Sequence, residues 1–142
     1  MASIHSKDTE PEIIVRKLLH ARGCRYRIHY KGLPGKPDLV FPKHRAVIFV
    51  NGCFWHGHNC HIFNPKRTLS ISWAAKIKNN VKRDHTNLDK LQDRDWKTLV
   101  VWECAIQGKE KLPREELFRT IESWLLYDPM NAEIVGRKKP SP

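Results

Sequence analysis

Apolar side chains recur at helical spacing in three stretches of the chain, and between these stretches they alternate or run together. Ile14, Leu18 and Ala21 trace one face of a helix that Thr9 can cap, with Pro11 in the first turn, Glu12 at the reciprocal capping-box position and Gly23 at the end. Residues 25–30 alternate, with Tyr26, Ile28 and Tyr30 opposite Arg25, Arg27 and His29, which predicts a strand with a basic outer side. Leu33-Pro34-Gly35-Lys36-Pro37 is a turn. Asp38-Leu39-Val40-Phe41 and Ala46-Val47-Ile48-Phe49-Val50 read as two short, largely apolar strands of a hairpin, stopped by Asn51-Gly52. From about residue 70 to 93, Trp73, Ile77, Val81, Leu88 and Leu91 line a long helix whose other side carries Lys76, Lys78, Lys82 and Arg83. Leu99-Val100-Val101-Trp102 is a fourth strand, and Pro113 opens a last amphipathic helix through Leu117, Ile121, Trp124 and Leu125. The tail after Tyr127 is expected to be loose.

This order, α-β-β-β-α-β-α, predicts an α/β protein with a central mixed sheet flanked by helices on both faces. At 142 residues the chain is one domain's worth, with a core over about 7–126. No run approaches the roughly 20 apolar residues of a membrane span, and the N-terminus lacks the apolar segment of a signal peptide, so a soluble, cytoplasmic protein is expected.

Charge adds a partner. The chain carries 26 Lys and Arg against 15 Asp and Glu, a net charge of +11, and all of the excess precedes residue 98. A surface built to face a polyanion needs that asymmetry, which favours nucleic acid over a merely soluble basic protein.

Residues 52–68 show neither period and concentrate Cys, His and aromatic side chains. Cys53, His58 and Cys60 fall close together and Cys104 follows the fourth strand, so three thiolates and one imidazole could make a closed tetrahedral zinc site that orders this stretch. Spacing leaves His56 and His61 as rival ligands, and leaves open that the cysteines are only buried thiols. Asp38 and Glu12 form a second constellation. They could meet at one end of the sheet and hold Mg2+ through hard oxygen ligands, or Asp38 could merely end a turn and Glu12 merely close its capping box. Phe54, Trp55 and Trp73 are either core or side chains that stack on or wedge between bases.

Four blocks of residues go further than spacing. Lys7-Asp8-Thr9-Glu10-Pro11-Glu12, Leu33-Pro34-Gly35-Lys36-Pro37-Asp38, Val47-Ile48-Phe49-Val50-Asn51-Gly52-Cys53-Phe54-Trp55-His56-Gly57-His58 and Val101-Trp102-Glu103-Cys104, in that order, resemble the Vsr family of very short patch repair endonucleases. The resemblance implies a restriction-endonuclease-like core with a structural zinc. It further implies Mg2+-dependent nicking of double-stranded DNA 5′ of the thymine in a T:G mismatch left by 5-methylcytosine deamination. Asp38 would then be the principal Mg2+ ligand with the backbone carbonyl of Val50, Glu12 would reach the metal through water, and His56 would move a proton beside the scissile phosphate. The zinc ligands would be Cys53, His58, Cys60 and Cys104, and Phe54, Trp55 and Trp73 would wedge into the DNA. A monomer acting in the bacterial nucleoid alongside mismatch-repair proteins is the corresponding expectation.

The chain departs from the family pattern in three places. Many members carry an additional N-terminal DNA clamp, some have Thr where Val50 stands, and some have His where Asn51 stands. The alternative to an autonomous nuclease is a zinc-stabilised mismatch-binding protein whose nicking is weak or depends on a partner.

Overall fold

The computed structural model describes residues 9–54, 56–58 and 71–137. Helix α1 (Glu10–Ala21) begins at Thr9, whose Oγ1 accepts the Glu12 N–H at 3.4 Å. It ends in a Schellman turn: Gly23, at φ +81°, donates to the His20 carbonyl and Cys24 to that of Leu19. Strand β1 (Leu39–Phe41) and strand β2 (Ala46–Asn51) pair antiparallel across a 3-10 turn, Pro42–His44, which Arg45 closes in the left-handed region.

Helix α2 (Ile71–Asp93) crosses over to strand β3 (Lys97–Trp102), which runs parallel to β2. Helix α3 (Glu103–Ile106) and helix α4 (Arg114–Tyr127) lead to strand β4 (Ala132–Ile134), parallel to β3. The sheet is thus mixed and four-stranded, in the order β1-β2-β3-β4.

Alternation along the strands explains why both faces are covered. Leu39, Phe41, Ala46, Ile48, Val50, Leu99 and Val101 share one core with Val15 and Leu19 of α1, Ala105 and Ile106 of α3 and the apolar stripe of α4. Val40 and Val47 point the other way, onto Leu91 near the end of α2 and Trp96 just past it. Strands buried on both sides read as continuous apolar runs, as these do.

Two expectations from the sequence are corrected. Residues 25–30 make no strand: they contribute one bridge, between Arg27 and Val40, and His29 turns the chain at φ +55°. The reason is tertiary. Tyr26 packs against the α1–α4 core with its hydroxyl on the Arg16 carbonyl, while Tyr30 packs on the α2 side, so the two rings do not share a face. Nor is the chain after Tyr127 loose through its described part, because β4 completes the sheet and Ile134 is buried in the main core.

Candidate functional site

Parallel pairing of β2 with β3 brings their C-terminal ends together, Val50 opposite Val101 and Asn51 opposite Trp102. The antiparallel hairpin returns the start of β1 to the same end, where Asp38 donates its N–H to the Ile48 carbonyl at 3.0 Å. There the Val50 N–H donates to Asp38 Oδ2 at 2.7 Å. The first turn of α1 supplies Glu12, only 3% exposed, whose charge bears on the Asp38 carboxyl.

The two carboxyls are an unfavourable pair. Burial first, and then the charge of Glu12, push the Asp38 pKa up to about 8, against the pull of the Val50 N–H and of Arg16. Arg16 limits the cost by donating to Glu12 Oε2 at 3.0 Å. The capping role of Glu12 is therefore only part of its setting: it bonds Thr9 and Arg16 and its charge acts on Asp38.

Beyond β2 the chain folds into successive tight turns, with His56 N–H on the Gly52 carbonyl and His58 N–H on that of Cys53. Gly57, at φ +65°, lies so close to α2 that a Cβ would stand 3.1 Å from both Ile77 Cγ2 and Val81 Cγ2. This turn presents three side chains. His56 Nδ1 pairs with Asp84 Oδ2 of α2 at 2.5 Å, which fixes the ring and leaves Nε2 as the nitrogen not held by Asp84. Phe54 meets Trp73 edge to face, with centroids 6.2 Å apart. His58 stacks on Trp102, 4.2 Å between centroids and 11° between planes.

One potential ligand atom each from Cys53, His58 and Cys104 lies within 4.8 Å of the others, so this trio could hold a metal ion. Both sulfurs receive backbone hydrogen bonds, Cys53 Sγ from the Cys104 N–H at 3.3 Å and Cys104 Sγ from the Gly136 N–H at 3.2 Å. The Cys53 N–H is itself held by Glu103 Oε1 at 3.1 Å. Burial lowers the His58 pKa, outweighing Glu133, and so favours the neutral imidazole a metal needs. Cys60 and Trp55 lie outside the described residues, as does the rival ligand His61.

Asp84, Glu103 and the ring of Trp102 are contributors that sequence reasoning did not single out. Trp102 and Glu103 stood within a quoted block, whereas no local signal marks Asp84, 28 residues from His56 on a lysine-rich helix.

Residues 1–62 match the family model described as DNA mismatch endonuclease Vsr. The chain is 40% identical over 134 residues to the DNA mismatch endonuclease Vsr of Escherichia coli K12, covering 94% of this chain and 86% of that protein. It is 46% identical over 106 residues to the type II nicking enzyme V.XorIIP of Xanthomonas oryzae, covering 75% and 78%. To the type II nicking enzyme V.NmeAIP of Neisseria meningitidis it is 42% identical over 121 residues, covering 85% and 86%.

Proposed function

Since the chain belongs to the Vsr family of DNA mismatch endonucleases, we propose that it is a Mg2+-dependent enzyme that nicks duplex DNA 5′ of the thymine in a T:G mismatch, on a restriction-endonuclease-like core. The observation that carries this reading is the pairing of buried Glu12 with half-buried Asp38 at the C-terminal ends of the parallel strands. Two carboxyls pressed together destabilise a metal-free fold, and a divalent cation is the ligand that relieves them.

Asp38, held in place by the Val50 N–H, would hold the Mg2+ directly with the Val50 carbonyl, and Glu12 would reach it through water. When bound, Mg2+ supplies positive charge against the scissile phosphate and lowers the pKa of an attacking water. His56 moves a proton at Nε2, and Asp84 holds its Nδ1 so that this nitrogen faces the reaction. Phe54, Trp55 and Trp73 wedge into the stack, which opens most cheaply at a mispair. The lysines of α2 neutralise backbone phosphates.

Cys53, His58, Cys60 and Cys104 hold a structural zinc. The three described donors are soft or borderline, closely grouped and supported by N–H groups aimed at sulfur, and this chemistry fits zinc. Zinc fixes the turn that carries Phe54 and His56.

Binding and cutting on the same variant test the assignment. Asp38→Ala is expected to bind a T:G duplex within about twofold of wild type and to nick it at least about a thousandfold more slowly, as loss of a metal-organising ligand implies. A variant that nicks at near the wild-type rate would remove Asp38 from the reaction.

A further inference from the structure

The metal centre has support from a part of the chain remote in sequence from its ligands. We propose that residues 132–137 are a positioning element of that centre: Gly136 directs its N–H onto the Cys104 sulfur, and Glu133, through Trp102, holds the ring of His58. The proposal rests on reading Cys53, His58 and Cys104 as zinc ligands.

Two independent contacts carry it. The Gly136 N–H donates to Cys104 Sγ at 3.2 Å, and only a residue without a side chain can come so close: a Cβ there would stand 2.5 Å from the Cys104 carbonyl oxygen and 2.9 Å from that of Glu110. The next residue secures the approach, with the Arg137 N–H on the Glu110 carbonyl at 2.8 Å. A donor aimed at a thiolate sulfur withdraws charge from it and fixes its direction, which is how outer-shell groups tune a metal ligand.

The second contact is made three residues earlier. Trp102 Nε1 donates to Glu133 Oε2 at 3.2 Å, and the same indole lies flat against the His58 imidazole. The stack sets the plane of a ring whose Nδ1 stands 3.7 Å from Cys104 Sγ. Core packing alone explains neither contact. Ile134 anchors β4 in the apolar core, whereas Glu133 is exposed and Gly136 has no side chain to bury.

The test is the rate at which the full, zinc-loaded chain releases metal to a chromogenic chelator well below its melting temperature. Gly136→Ala is expected to release zinc about tenfold faster, within the usual range for lost outer-shell support. The Co2+-substituted variant should also show a shifted thiolate-to-metal charge-transfer band. Glu133→Ala is expected to accelerate release by a smaller factor, and Glu133→Gln, which keeps an acceptor for the indole, to behave as wild type. Ile121→Val, a core change away from the centre, controls for general destabilisation and should leave release unchanged.

Wild-type release rates and an unshifted band in both Gly136→Ala and Glu133→Ala would overturn the proposal while leaving the zinc reading intact. Should Gly136→Ala not fold, the contrast between Glu133→Ala and Glu133→Gln decides. A wild-type chain that takes up no zinc would fail the ligand assignment itself, and the proposal with it.

Discussion

Asp38 occupies surroundings that penalise its charged form. Its folded-state pKa is pushed up to about 8, whereas in the unfolded chain it ionises near the ordinary value of 3.8. Between those values the folded state holds a proton that the unfolded state has released, so this group makes the metal-free protein less stable as pH rises from about 4 to about 8. Asp38→Asn keeps an acceptor for the Val50 N–H and removes the clash with Glu12. Thermal melts of the zinc-loaded chain without Mg2+ are therefore expected to place this variant several degrees above wild type at pH 8 and level with it near pH 4. Equal melting temperatures at both pH values would contradict the strained pair. The two carboxylates were legible in the sequence because each stands in a motif, Thr-Glu-Pro-Glu or Lys-Pro-Asp. Asp84 was not, because its role exists only once α2 packs against the turn carrying His56.

Elements with a long apolar period were readable, and those made by tertiary contacts were not. Helices α1, α2 and α4 and the hairpin β1–β2 lie close to where their periodicity and caps place them. The alternation of residues 25–30 misled because period 2 says nothing about which layer receives each ring. Strand β4 went unseen because three residues with one buried side chain carry almost no pattern. The junction of β3 with α4 shows how strongly these elements are tied. Lys97 Nζ donates to the carbonyls of Trp124, Leu125 and Asp128 at 2.8, 2.8 and 2.7 Å, capping the C-terminus of α4 with a cation. Lys97→Met leaves three acceptors without that donor. It is expected to cost about 2 kcal/mol and to lower Tm by roughly 6 °C, read by calorimetry or circular dichroism.

Across the whole molecule, two centres of different chemistry share one end of the sheet. Val50 belongs to the carboxylate site and Cys53, three residues on, to the sulfur site, so the turn at residues 52–54 is anchored from both. The excess positive charge lies before residue 98, in the stretch that includes α1, the hairpin and α2, and the charges balance after it, through α4 and β4. Because Cys104 joins the end of β3 to that turn, its loss should spread. On the proposed zinc assignment, Cys104→Ala is expected to lose zinc, to melt at least about 10 °C lower and to stop nicking, since ligand binding free energy would then be folding free energy. Full zinc content with an unchanged melting temperature would remove Cys104 from the ligand set.

The most direct measurement is nicking of end-labelled duplexes that differ only in a T:G or a T:A pair, in Mg2+ or in EDTA. One Mg2+-dependent nick is expected on the 5′ side of the mispaired thymine and none in the matched duplex or in EDTA. Equal cutting of both duplexes would contradict the mismatch specificity. Tight T:G binding with no nick in Mg2+ would contradict the catalytic assignment of Glu12, Asp38 and His56.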